Sequence, residues 1–412
     1  MGTKLYMGLD LSDSLAQVSF WQEGEKEPVT VSTRKGEEQY QIPTSLYVGK
    51  GGYYLYGAEA EKKRNVRSAD LYEQLYLRAV DMADSDGARE AVGRLGIYVR
   101  RLIRLKESLY PKDREFDIYL AITVPELSAR GVKALELLAE ELKPDIASIC
   151  WMDYGESFFY YTFYQDRSVW AHDIALFDFS DRQVRFTLLV RETRTEPQIV
   201  LSGQETWQVS DEIWENDSEK DRFFADILRE AFAKRIVSGV FLTGDGFDGD
   251  WMKEVFRVLG PNRRVFVGKN LYTKGAAYAA LTLDRKADWP YLYEGSYKVQ
   301  SDVRLEVTAG GQKEKLPLAR AGQNWFDEAY QYTAILRGTP VIRLLVTQGG
   351  ERKPKVCDLE LEDIWKRPEQ TRRISISGKM TDVRSLHITV KDTGFGSFYP
   401  PEPKSWEFDI QI

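Results

Sequence analysis

The chain has 412 residues, room for roughly two to four domains, and is 43% hydrophobic, so large cores are readily filled. A formal net charge of -7 and a pI near 5.3 argue against nucleic acid or an anionic membrane as the main partner. Cys150 and Cys357 are the only cysteines, and His172 and His387 the only histidines, which excludes a disulfide framework and leaves no basis for a zinc centre. The first residues pass from Lys4 into a strand without a signal-peptide pattern, and no apolar run reaches spanning length, so a cytoplasmic protein is expected.

Residues 5–11 and 16–21 are predicted to form an antiparallel hairpin, with further strands at 29–32 and 45–48 and an extended lead-in at Ile42-Pro43. Gly51-Gly52 turns the chain into a strand at 53–56, and 58–63 reads as a short helix. Val92, Leu95, Val99, Leu102 and Leu105 recur at three- and four-residue steps and predict a helix over 87–107. The run 117–124 is almost continuously apolar and ends at Pro125, the pattern of a buried central strand. Ser128 is placed to cap a helix running to about Leu142, followed by a strand at 146–151. Residues 156–165 suit a short helix by position but are ambiguous by propensity. Their dense aromatic block, Phe158, Phe159, Tyr160, Tyr161, Phe163 and Tyr164, fits either core packing or a protein-contact surface.

A second hairpin is predicted at 174–178 and 184–190, then strands near 196–202, a helix at 220–233 and a buried strand at 239–242. A helix at 250–258, a strand at 264–267 and a small-residue helix at 274–281 follow. Beyond Trp289 the texture changes to short alternating strands at 303–307, 332–336, 341–346, 373–377 and 386–390, the pattern of a β-sandwich or barrel. The theme of hairpin, crossover helix and buried strand occurs once from Leu5 and again from Ile174, which points to duplicated α/β lobes.

Each hairpin carries an Asp at the tip of its first strand, Asp10 and Asp178, and a second one in its turn, Asp13 and Asp181. On these residues the chain resembles the actin–Hsp70–sugar kinase superfamily, and Hsp70-like proteins most closely. Asp10, Ser12, Asp13 and Ser14 stand where that family has its first phosphate loop; Ser12 replaces the glycine and Asp13 the hydroxyl residue. Asp178, Ser180 and Arg182 stand at the second phosphate loop, again without glycine. Gly244, Asp245 and Gly246 resemble the adenosine loop, and Gly275-Ala276-Ala277 the family's glycine-alanine-alanine helix. The segments 42–46, 56–60 and 121–125 (AITVP) have family counterparts, as do 349–352 (GGER) and 386–391 in the β-rich part.

The resemblance implies a two-lobed, ribonuclease H-like α/β nucleotide-binding fold followed by a β-sandwich. A first lobe is expected over 1–170, a reduced second lobe over 171–290 and a sandwich over 291–412, similar to the Hsp70 substrate-binding domain but without a helical lid. The family's cofactors would be ATP or ADP with Mg²⁺, the metal held at Asp10 and Asp178, and its general base has Asp153 or Glu156 as a counterpart. Glycines in a phosphate loop let backbone N–H groups approach oxygen, whereas a Cβ fills that space and an added carboxylate repels phosphate. The aspartates therefore either keep a metal or simply finish turns, and Arg182 either meets phosphate or neutralises Asp181. Lys269 and Lys274 read as solvated charges flanking a helix. The expected function is a degenerate Hsp70-like protein that works through protein or peptide contacts with little or no ATP turnover. The alternatives are an active ATP-dependent chaperone-like switch and, more remotely, a small-molecule kinase.

Overall fold

In the computed structural model the first hairpin forms from Thr3–Leu11 and Leu15–Trp21, in a register that sets Asp10 opposite Gln17. The structure describes residues 2–34, 36–65, 70–260, 263–285, 289–348, 353–362 and 368–412. Contacts divide the chain into Met1–Tyr293 and Glu294–Ile412.

The strand Thr3–Leu11 is buried on both faces from Leu5 onward because it is central: it pairs antiparallel with Leu15–Trp21 and parallel with Phe116–Val124. The sheet runs Val29–Thr30, Leu15–Trp21, Thr3–Leu11, Phe116–Val124, Ser148–Asp153, with Ile42–Pro43 paired to the second strand. The second sheet runs Arg264–Val267, Val237–Thr243, Asp173–Ser180, Gln183–Glu192, Gln198–Gln208, Tyr291–Glu294. Leaving aside Ile42–Pro43 in the first sheet and the edge strand Tyr291–Glu294 in the second, both place their strands in the chain order third, second, first, fourth, fifth. In both, the first two strands are antiparallel and the fourth and fifth run parallel to the first. One arrangement has been built twice.

Helices follow the sequence pattern. Ala88–Ile103 and Ala129–Leu142 pack on each other, the latter capped by Ser128, whose hydroxyl accepts from Gly131 N at 3.0 Å. Asp217–Phe232 lays Phe224 and Leu228 onto Phe177 and Phe179 of the second sheet. Burying rings of this size stabilises by about 1.5–3 kcal/mol each.

The helix after each sheet crosses to the other sheet. Leu271–Arg285 lies against the first hairpin, where Thr273 Oγ1 donates to Gly8 O at 2.9 Å. A Cβ on Gly8 would sit 1.9 Å from Thr273 O, so only glycine admits this approach. Tyr154–Phe163 packs Phe158 and Tyr161 on Phe241 of the second sheet, with ring centroids 5.4 and 5.8 Å apart. The two helices meet where a Cβ on Gly275 would lie 2.0 Å from Ser157 O. The aromatic block is core along Phe158, Phe159, Tyr160 and Phe163, which are all buried.

A small sheet of Tyr54–Tyr56, Leu46–Val48 and Asp70–Tyr72 packs beside the first sheet's helices; its last strand was not anticipated. The predicted strand at 146–151 forms two residues later, as Ser148–Asp153, and the strands near 196–202 are one strand, Gln198–Gln208. The 156–165 helix begins at Tyr154.

In Glu294–Ile412, two antiparallel four-stranded sheets form. One orders Gln312–Ala319, Ser301–Ala309, Val341–Gln348, Lys355–Glu360; the other Tyr330–Ile335, Arg373–Met380, Ser385–Asp392, Ser405–Gln411. Val303, Leu344, Ile374, Leu386 and Ile388 are fully or almost fully buried in one core. Gln312–Ala319 and Lys355–Glu360 escape the alternation pattern because they are charged edge strands, the first exposed over Gln312–Lys315 and the second over most of its length. The GGER segment at 349–352 lies outside the described residues.

Candidate functional site

The site grows from the two hairpin tips. Asp10 and Asp178 occupy the same position in the duplicated topology, and both are buried, at 7% and 4% exposure. They are not exposed strand ends. Each accepts a hydrogen bond from a tyrosine on the crossing helix that follows its own sheet. Tyr154 Oη donates to Asp10 Oδ1 at 2.7 Å, and Tyr272 Oη donates to Asp178 Oδ2 at 3.1 Å. The two rings stack, centroids 3.7 Å apart and planes 13° from parallel. A continuous chain of contacts therefore runs Asp10, Tyr154, Tyr272, Asp178.

Local structure explains the placement. Asp153 ends its strand in extended conformation, and its carboxylate accepts from Glu156 N at 2.8 Å, capping the helix whose first residue is Tyr154. Ser157 Oγ donates to Tyr272 O at 2.6 Å and pins the second helix's first turn to the first helix.

The carboxylates differ electrostatically. Burial pushes the Asp10 carboxyl up to about 7, opposed by the Tyr154 hydroxyl and reinforced by the charge of Asp178. Burial also raises Asp178, but Arg185, Ser180 and Tyr272 all oppose it. Arg185 stands directly across the hairpin from Asp178, with Nη2 3.9 Å from Oδ2, and Ser180 Oγ donates to Asp178 Oδ1 at 2.6 Å. Across from Asp10 stands neutral Gln17, whose Nε2 donates to Lys269 O at 2.8 Å and whose buried Oε1 has no hydrogen-bond partner among the described residues. Burial and the neighbouring carboxylates push both tyrosine hydroxyls well above their ordinary range.

The turns are closed on themselves. In the first, Ser12 N and Oγ both donate to Leu15 O at 2.9 Å, and Leu15 N donates back to Ser12 Oγ. Thr44 donates through N to Ser14 O and through Oγ1 to Asp13 O. In the second, Asp181 and Arg182 form a two-residue hairpin with φ of 53° and 56°, a left-handed pair usually given to Asn-Gly. Gly244 and Gly246 come close to this hairpin: a Cβ on Gly244 would lie 2.3 Å from Phe179 O, and one on Gly246 2.4 Å from the Phe179 ring. These glycines seat the loop on the hairpin. Asp245 is exposed, its carboxyl raised by partial desolvation and by nearby Asp181.

Several expectations change. Arg182 is ion-paired with Asp211 rather than with Asp181. Lys274 is not a solvated charge: it pairs with Glu27 at 3.0 Å and is only 14% exposed. Lys269 pairs with Asp248 at 2.6 Å. Asp153 serves as a helix cap, Glu156 is buried in the first turn of that helix, and Gly275 lies at the helix crossing. Tyr154, Tyr272 and Arg185 were missed. Arg185 was readable once the turn was placed at 181–182, because hairpin register then sets it opposite Asp178; the tyrosines carry no local signal.

The residues do not fit a magnesium–nucleotide group in this arrangement. Both acids accept from tyrosine hydroxyls, Ser12 N is spent within its turn, and neither hairpin turn contains a glycine whose backbone could approach a phosphate. Among the described residues, no three His, Cys, Asp or Glu side chains are grouped to hold a metal ion. Nor is any described helix long and apolar enough to cross a membrane.

Comparison with known proteins gives a family model described as "Family of unknown function (DUF5716) C-terminal", matching residues 27–296. A second, described as "Domain of unknown function (DUF8552)", matches residues 298–412. No curated protein matches. Among solved structures the chain is similar to a non-polymerising MamK mutant bound to AMPPNP, at 13% identity and a TM-score of 0.41, covering 69% of this chain and 100% of that one.

Proposed function

The chain belongs to the DUF5716 family, whose C-terminal model spans more than half of it, and from that premise we propose that it is a non-hydrolysing relative of the actin–Hsp70–sugar kinase superfamily acting through protein contacts. The duplicated strand order and the crossing helices support the superfamily reading. In this reading 1–170 and 171–290 are two lobes, and 291–412 is a β-sandwich of the Hsp70 substrate-binding type that presents a surface to a protein or peptide.

One observation carries the loss of catalysis: the two acids that would face a metal-nucleotide are each engaged by a tyrosine, and the tyrosines stack on each other. A buried stack is worth about 0.5–1.5 kcal/mol beyond its area, and each hydrogen bond to a charged group about 1.5–3 kcal/mol. Together they tie the crossing helices to both hairpins and occupy the acids with tyrosine hydroxyls.

A turnover assay with Mg-ATP tests this reading. The expected result is release of phosphate no faster from the native chain than from Asp10→Asn or Asp178→Asn. Turnover that both substitutions abolish contradicts it and favours the switch reading, in which nucleotide displaces the tyrosine pair and changes how the β-rich part binds peptide.

A further inference from the structure

A cavity of about 340 Å³ opens between the edge strand Tyr54–Tyr56 and the helix Ala88–Ile103, away from the paired aspartates. Ile97, Arg100, Arg101 and Arg104 line it, spaced so that they share one side of the helix and its 3₁₀ continuation Arg104–Ser108. Leu46 and the rings of Tyr54 and Tyr56 form the other wall.

The three arginines are not equivalent. Arg100 is neutralised: its Nε donates to Asp145 Oδ2 at 2.8 Å and its Nη1 to Glu141 Oε1 at 2.9 Å, which ties the helix to Ala129–Leu142. Arg101 lies over the Tyr56 ring at 5.1 Å, an orientation that holds the guanidinium at the cavity wall. Among the described residues neither Arg101 nor Arg104 has a carboxylate within ion-pair distance, although the chain carries 64 acidic residues against 57 basic ones. Two uncompensated guanidinium groups beside a tyrosine and aliphatic wall select a ligand with two parts: an anionic head for the arginine forks and a flat apolar body for the rings.

We propose that this cavity is a binding site for a planar aromatic anion. The volume accommodates one ring with its acidic group. The group can come from a free small molecule or from an aromatic residue bearing a free carboxylate at the end of a polypeptide. The site is independent of the nucleotide question, since none of its residues touches Asp10 or Asp178.

The test is titration of the full chain with 8-anilinonaphthalene-1-sulfonate, followed by its emission, with phenyl phosphate and inorganic phosphate as competitors. Expected are saturable binding, displacement by phenyl phosphate well before inorganic phosphate, and an affinity loss of about tenfold or more in Arg101→Ala/Arg104→Ala. Both side chains are exposed, so the variant should melt with the native chain; should it not, Arg104→Gln is expected to weaken binding with folding intact. A peptide ending in Phe with a free carboxylate, set against its amide, separates the sources: carboxylate-dependent competition stronger than that of phenyl phosphate assigns a polypeptide, the reverse a free small molecule. Absence of saturable binding, affinity unchanged by the arginine substitutions, or equal competition by inorganic phosphate overturns the proposal.

Discussion

The two hairpins hold the same place in a repeated topology, yet opposite Asp10 stands Gln17 and opposite Asp178 stands Arg185. Burial alone would keep both acids protonated well above their ordinary range. The arginine, the Ser180 hydroxyl and Tyr272 counter that for Asp178, whereas Asp10 has mainly the Tyr154 hydroxyl and stays raised to about 7. Both carboxyls are thus raised by burial, and the cross-strand Arg185 is one of three groups that oppose the shift at Asp178. The backbone arrangement repeats, while the side chains around each acid differ.

The largest effect should come from breaking the geometry that brings the hairpins together. Gly8→Ala or Gly275→Ala drives a Cβ into the backbone of a crossing helix and should cost about 3 kcal/mol or more in urea denaturation. Gly93→Ala, in a helix with nothing near its Cβ position, should stabilise by about 0.5–1 kcal/mol.

Next is the pH dependence of Asp10. The folded chain holds a proton there up to about 7, which the unfolded chain releases near 3.8. Its contribution to folding is therefore complete below 3.8 and lost as pH rises to about 7. The Asp10 contribution should fall by roughly 4 kcal/mol across that window, and Asp10→Asn should flatten the fall and be the more stable chain at about pH 8. A curve that keeps its slope in the Asn variant assigns the titration elsewhere.

Making the second hairpin resemble the first is a smaller perturbation. Arg185→Gln should destabilise by about 1–3 kcal/mol at neutral pH, with the loss shrinking at about pH 4, where a protonated Asp178 needs no counter-charge. A loss independent of pH would make Arg185 a packing residue. Smallest is the turn: Asp181→Asn with Arg182→Gly puts Asn-Gly at the two left-handed positions and should stabilise by about 1 kcal/mol, less the small loss of the exposed Arg182–Asp211 ion pair.

The sheets were legible because buried parallel strands such as Phe116–Val124 read as apolar runs and hairpins alternate around turn residues. The charged edge strands Gln312–Ala319 and Lys355–Glu360 were not, since an edge must resist pairing and so loses the pattern that marks a strand. Asp10 and Asp178 stood out as aspartates at strand tips. Their partners did not, because Tyr154 lies 144 residues from Asp10 and Tyr272 94 from Asp178, and only the crossing helices bring them together. Gly244 and Gly275 each allow a close backbone approach that is not visible in the sequence.

The central claim is that the tyrosine pair closes the position where a metal-nucleotide would be held. Calorimetric titration of the native chain with Mg-ATP addresses it most directly. The account predicts no measurable heat of binding up to about 1 mM nucleotide, weaker than about 4 kcal/mol of binding free energy. Binding at about 1 µM, abolished by Asp10→Asn and by Asp178→Asn, would contradict it.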